Sequence, residues 1–255
     1  MVSIDGDEVA HNRYRGSGTY RAVLENVKGI KGKPKIYARM TISDAMKYID
    51  YSIMELINCF DGLYWQTCDK EYPSDTYIGF SESYNKQIDR VIDFWYYSLC
   101  NGVVLPLASF NLIYRDLALN LKHTKVRCGA NSTHFTIYTD GGVYPCVDSV
   151  FESGYRIGHI SQCDCNRKHA NSTSCEICAR CCSCVVKDIC GGACWMDIHN
   201  TEIAKEYSYV KCSNIISIIK HIEGYVNIDK GKYISAVQGD IQKNALFYEY
   251  CEEIP

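Results

Sequence analysis

Nine of the sixteen cysteines in this 255-residue chain fall between positions 163 and 194, a stretch that shows neither helical nor strand periodicity. Such a segment cannot assemble an apolar core of its own, so whatever its thiols bind must organise it. Cys128 and Cys146 precede the crowded stretch, and Cys212 and Cys251 follow it. Only Cys59, Cys68 and Cys100 lie in the first 125 residues, where they read as small buried apolar side chains. Cys182 and Cys251 have no assigned role.

Three chemistries use dense cysteines: disulfides, structural zinc and iron–sulfur clusters. Met1-Val2-Ser3-Ile4-Asp5 lacks a basic region followed by an apolar one, so a cytoplasmic location is expected, where thiols stay available to metals. The length supports one large domain or two smaller ones without a disulfide framework. A net charge of −3 with no lysine or arginine run argues against nucleic acid as a partner. No apolar stretch approaches the ~18 residues of a membrane span, which argues against a membrane partner.

The first half reads as alternating strands and helices. Strands are expected over Met1–Asp5, Lys35–Ile42, Leu63–Thr67 and Val103–Leu107. Helices are expected over Thr19–Ile30, with Thr19 as cap, over Asp44–Phe60 and over Tyr84–Leu99. This alternation implies βαβ units and a parallel sheet, whose pockets open at the carboxyl ends of the strands. Asp5, Gly6, the Ser43 region and Cys68 should then share one rim. Three or four parallel strands leave an unpaired edge, so either another chain covers it or residues lie upstream.

After about Arg127 the character changes. His134–Tyr138, then Thr139-Asp140-Gly141-Gly142, then Val143–Pro145 reads as a β-hairpin. Arg156–Ile160 reads as a further strand and Glu202–Val226 as a helix; periodicity names no element beyond it.

The cysteine spacing carries the strongest chemical signal. Cys128-x12-Gly141-x4-Cys146 is followed by Cys181-x2-Cys184-x5-Cys190-x3-Cys194, and then by Cys212. A two-residue gap lets a pair of thiolates close on one ion, and Gly191-Gly192 lets the backbone pass near a bulky centre. Seven thiolates exceed one four-ligand site, so two sites share the segment. Spacing alone leaves zinc and iron both open.

This seven-cysteine pattern resembles the SPASM domain, the auxiliary-cluster extension of radical S-adenosylmethionine (SAM) enzymes. The N-terminal half resembles the later strands of the radical SAM partial barrel, through Ser3-Ile4-Asp5-Gly6 and His11-Asn12-Arg13-Tyr14-Arg15-Gly16. The implied fold is α/β: an incomplete, later-half radical SAM parallel-strand barrel over 1–125, a cysteine-rich SPASM domain with a β-hairpin and a helix over 126–225, and a tail over 226–255. The resemblance implies that Ser3 and Arg15 hold the SAM carboxylate, a task suited to a hydroxyl and a bidentate guanidinium. It implies two [4Fe–4S] auxiliary clusters. Cys181, Cys184, Cys190 and Cys212 hold the outer one, and Cys128, Cys146 and Cys194 the inner one.

The inner cluster then needs a fourth ligand or has an open iron. Some relatives carry a cysteine six residues after the first; His134 stands there in this chain, and Cys163 or Cys165 are alternatives. Cys163-x-Cys165-x9-Cys175-x2-Cys178 lies outside the family pattern and forms a candidate third metal site. Asp148, two residues after Cys146, is the candidate catalytic base. Tyr96, Tyr97, Tyr138 and Tyr144 are candidates to line a peptide groove.

The family's catalytic cluster is held by Cys-x3-Cys-x2-Cys, and this sequence contains no such motif. The expectation is therefore part of a radical SAM/SPASM enzyme that modifies a peptide or protein side chain. A third cluster would come from an N-terminal half-barrel, on a partner chain or ahead of Met1, together with an external electron donor or acceptor. The alternatives are a non-catalytic iron–sulfur module that relays electrons or presents substrate, and a structural zinc protein.

Overall fold

In a computed structural model of the chain, the described residues are 1–30, 34–68, 74–152, 154–161, 179–192, 194–196 and 205–249. They divide into two units, Met1–Asn120 with Tyr209–Pro255, and Leu121–Ser208.

The first unit is organised by a parallel sheet of order β1-β2-β3, formed by β1 (Val2–Ser3), β2 (Tyr37–Ile42) and β3 (Gly62–Thr67). The register runs Ser3 to Arg39, and from Tyr37 opposite Gly62 to Ile42 opposite Thr67. Ala38, Met40 and Ile42 are buried while their neighbours on β2 are less so, the alternation of a half-covered strand. On β3, Leu63, Tyr64 and Trp65 are all buried, the pattern of a strand covered on both faces.

The fourth expected strand, Val103–Leu107, is not one. A single bridge pairs Leu63 with Leu107, and Leu63 donates its N–H to the Pro106 carbonyl at 2.9 Å. Pro106 has no N–H to continue a ladder, and the chain turns at once into a helix. That helix, α5 (Ala108–Ala118), was not anticipated, nor was α1 (Glu8–Arg15).

Other expected elements shift their bounds. Helix α2 (Thr19–Gly29) is capped by Gly18 rather than by Thr19, whose hydroxyl instead donates to the Gly16 carbonyl. Helix α3 shrinks to Ile49–Leu56, whereas α4 extends over Ser74–Cys100. On α4 the buried residues Phe80, Tyr84, Ile88, Val91, Ile92, Trp95 and Leu99 recur at helical spacing. Aromatic donors inside this core find partners: Trp65 Nε1 donates to the Tyr84 hydroxyl at 3.1 Å, and Trp95 Nε1 to Asn111 Oδ1 at 2.9 Å.

The second unit contains β4 (Thr136–Ile137), β5 (Gly142–Tyr144) and β6 (Gly158–His159) in one antiparallel sheet. Two short helices follow, α6 (Ala179–Cys182) and α7 (Lys187–Cys190). The long helix α8 (Lys205–Asp229) leads back into the first unit, which ends with α9 (Ile234–Lys243) and α10 (Ala245–Glu249).

These last helices, for which sequence periodicity named no element, belong to the core. Phe247 stacks on Tyr37 with centroids 4.2 Å apart, and it joins Tyr64, Ala108, Leu112 and Tyr248 in one buried cluster. Gly62 makes room for the stack, since a Cβ there would lie 2.9 Å from the Phe247 ring and 3.0 Å from Tyr37. Among the described residues, no helix is long and apolar enough to cross a membrane.

Candidate functional site

At the carboxyl end of the parallel sheet, β1 runs into Ile4-Asp5-Gly6, and Asp7 caps α1 by accepting the Ala10 N–H at 2.8 Å. The helix returns two side chains to the strand end. His11 Nδ1 accepts the Asp5 N–H at 3.0 Å, and Arg15 grips the Asp5 carboxylate through Nε and Nη2. Asp5 Oδ1 also accepts the Thr41 N–H of β2 at 2.9 Å. Cys68 donates its N–H to the Ile42 carbonyl, so the ends of β2 and β3 meet at this rim as well.

Ser3 is exposed at the end of β1, and Arg15 keeps about a third of its side chain in solvent. Two of the five guanidinium N–H groups face Asp5, and the remainder stay available for a second carboxylate. Ser3 and Arg15 are the residues to which the family resemblance assigns the SAM carboxylate. His11 is 1% exposed, and burial holds its pKa below the ordinary value; the Asp5 charge opposes that shift and Arg15 adds to it. With Nδ1 accepting, the proton sits on Nε2, which is buried with no partner among the described residues.

In the second unit, Cys128, Cys146 and Cys194 all pack against one apolar cluster of Val126, Ala130, Trp195 and Met196. Residues 66 positions apart are thereby gathered at one place. Tyr155 closes the cluster edge-on against Trp195, with centroids 5.4 Å apart. Cys146 follows β5, and Ser149 locks its backbone from both sides: the Ser149 hydroxyl donates to the Cys146 carbonyl at 2.7 Å and accepts its N–H at 3.1 Å. The hairpin loop closes through Gly141 N–H to the Tyr138 carbonyl, with Gly141 at φ +83°.

His134 lies in the turn after Cys128 and hydrogen-bonds the Cys128 carbonyl through Nδ1 at 2.6 Å. Asp148 is exposed and begins a 3₁₀ turn at Asp148–Phe151, within which Ser149 is buried.

Cys181 and Cys184 bracket a turn in which the Cys184 N–H reaches the Cys181 carbonyl. Cys190 ends α7, and the next residue, Gly191, takes the left-handed conformation at φ +72°. This corner is pinned to residues 123–127: the His123 N–H donates to the Asp188 carbonyl at 2.7 Å, and Arg127 Nη1 to the Ile189 carbonyl at 2.8 Å. Cys212 lies on α8, half-buried, within the first unit.

Cys163, Cys165, Cys175, Cys178 and Cys251 lie outside the described residues. Among the described residues, no three Cys, His, Asp or Glu side chains are grouped so as to hold a single metal ion. Cys59 and Cys100 are exposed and Cys68 is half-buried, which corrects their reading as buried apolar residues. Of the four tyrosines, Tyr96 stacks on Tyr225 at 3.8 Å, Tyr144 is buried, and Tyr97 and Tyr138 are exposed. The Asp5, His11 and Arg15 network as a whole escaped the sequence reading, although its members stand together within eleven residues.

No protein-family profile matches the chain. Curated relatives are cysteine-type anaerobic sulfatase-maturating enzymes. One from Clostridium perfringens is 28% identical over 178 residues, covering 62% of this chain and 46% of that protein. Another, from a second C. perfringens strain, is 26% identical over 219 residues, covering 76% and 57%, and one from Clostridium novyi is 23% identical over 177, covering 63% and 46%. The chain thus spans about half the length of these relatives.

Among solved structures, native anSMEcpe with bound AdoMet and the Kp18Cys peptide superposes with a TM-score of 0.57 at 18% identity, covering 93% of this chain and 68% of that one. The same protein with bound AdoMet alone gives 0.57 over 93% and 67%. These structures share the α/β fold described above. By sequence, the chain is similar to cysteine-type anaerobic sulfatase-maturating enzymes over about half their length.

Proposed function

We propose that the chain is part of a radical SAM/SPASM enzyme that modifies a peptide or protein side chain. The observation that carries this reading is the gathering of Cys128, Cys146 and Cys194 on one apolar cluster, in the positions the family pattern assigns to the inner auxiliary cluster. The donor chemistry fits: thiols set in an apolar surround suit iron–sulfur ligation. Cys181, Cys184 and Cys190 follow the outer-cluster pattern, and Cys212 joins them on the sequence pattern alone.

In the complete enzyme, bound SAM would supply the radical, and auxiliary clusters held by these cysteines would accept electrons. The residues of this chain bind and orient. Asp5 fixes the plane of Arg15, whose remaining guanidinium N–H groups would hold a SAM carboxylate together with the Ser3 hydroxyl. Asp148, exposed beside Cys146, is the candidate to take a proton from a peptide. The catalytic-cluster motif absent from this sequence would come from an N-terminal half-barrel, and a cytoplasmic location suits the thiols.

The test is anaerobic reconstitution with iron and sulfide, followed by metal analysis and an absorbance spectrum. The expected result is brown protein with iron and sulfide for two clusters. A colourless protein with stoichiometric zinc overturns the proposal.

A further inference from the structure

Among the described residues the inner set holds three thiols, which leaves one iron of a four-ligand cluster unassigned. We infer that His134 ligates that iron through Nε2. This inference rests on the iron–sulfur reading above and concerns a residue type the family pattern does not place there.

The local backbone delivers the ring. The N–H groups of Ser132, Thr133 and His134 all converge on the Gly129 carbonyl, at 3.0, 2.9 and 2.9 Å. That tight turn carries His134 back over the residue that follows Cys128. Gly129 is at φ +73°, and a Cβ there would collide with the Thr133 hydroxyl and with His134 Nδ1. Glycine is therefore what lets the imidazole lie against this backbone.

The hydrogen bond then sets the tautomer. A carbonyl can only accept, so the 2.6 Å contact with Cys128 places the proton on Nδ1. Nε2 is left with its lone pair and no partner among the described residues. An imidazole that donates one N–H to a backbone carbonyl and turns its other nitrogen outward is the arrangement found in metal-ligating histidines. The carbonyl it uses belongs to Cys128, itself a member of the inner set.

His159, on β6, provides a contrast. Its Nε2 donates to the Asp140 carbonyl at 2.8 Å, and its Nδ1 accepts the Ser161 N–H at 3.1 Å. Both nitrogens are spent within the hairpin, and no ligand role is left for it.

The test uses the full chain, labelled with ¹⁵N-histidine, reconstituted anaerobically with iron and sulfide, reduced, and studied by pulsed electron paramagnetic resonance. Wild type should show the strong nitrogen coupling of a directly bound imidazole, and His134→Ala should lose it. His134→Cys, which supplies a thiolate at the same place, should keep the full iron content, lose the coupling and shift the cluster midpoint potential downward. Full iron content in wild type without the coupling overturns the inference while leaving the cluster reading intact. Coupling that persists in His134→Ala overturns it too. Failure to take up iron at all removes the cluster reading, and the inference with it.

Discussion

Arg15, the last residue of α1, clamps the carboxylate of Asp5, which sits two residues beyond the end of β1. The same carboxylate takes the Thr41 N–H of the neighbouring strand, so one side chain ties a helix end and two parallel strands together. Its role is to brace: it occupies two of the five guanidinium N–H groups of Arg15 and holds the fork in place.

Asp5 is 5% exposed and Arg15 only partly covered, so solvent screens the pair on one side only. Asp5→Ala leaves the Thr41 N–H unpaired and releases Arg15, at an expected cost of about 2–3 kcal/mol. Asp5→Asn retains an acceptor and should cost about 1 kcal/mol. Urea unfolding midpoints measure both; equal midpoints for the two variants would show that the Thr41 bond is not what Asp5 contributes.

The buried His11 makes stability depend on pH. Its folded pKa is lowered, chiefly by burial, so the unfolded chain binds a proton that the folded chain refuses. Its contribution is complete above the unfolded value of about 6.5 and is lost progressively as pH falls from there toward the folded value. His11→Asn offers an oxygen to the Asp5 N–H without titrating in this range. Unfolding free energies measured from pH 7.5 to 5 should fall less steeply for that variant than for wild type.

Much of the strand framework was legible because half the residues of β2 and of β3 are β-branched or aromatic. Helix α5 was not, since Val103–Leu107 has strand composition and only Pro106 marks where it stops. Helix α1 escaped because Glu8–Arg15 is almost wholly polar, with no apolar stripe to reveal it; tertiary bonds from His11 and Arg15 hold it instead. The cysteine sites were legible as spacing, while the apolar cluster beneath Cys128, Cys146 and Cys194 was not. Val126, Ala130, Trp195 and Met196 come from distant segments and follow no period.

The C-terminal helices supply a further check. Phe247 is 2% exposed and stacked on Tyr37, whereas its neighbour Leu246 is 72% exposed. Phe247→Ala should cost about 3–5 kcal/mol and Leu246→Ala less than about 0.5. Thermal unfolding of the two variants distinguishes a core helix from a loosely attached tail; similar melting temperatures would refute the packing described for α10.

Gly191 and Gly129 both hold positive φ beside expected ligands, yet they should not be equally sensitive to a methyl group. At Gly191 a Cβ would lie 2.5 Å from the backbone carbonyl oxygen of Lys125, in a corner also fixed by the His123 and Arg127 hydrogen bonds. Nothing flexible can yield there. At Gly129 the obstacles are the ends of two exposed side chains, Thr133 and His134, which can rotate away at the expense of the Cys128 hydrogen bond. Backbone strain alone costs about 1–3 kcal/mol at either site. Gly191→Ala should therefore lower the melting temperature further than Gly129→Ala, with each kcal/mol worth roughly 2–4 °C in a chain of this size. Gly129→Ala should instead act on the imidazole, weakening histidine nitrogen coupling in the loaded protein while leaving most of the iron in place. Equal thermal losses in the two variants would mean that the φ requirement, and not the close approach to Lys125, governs Gly191.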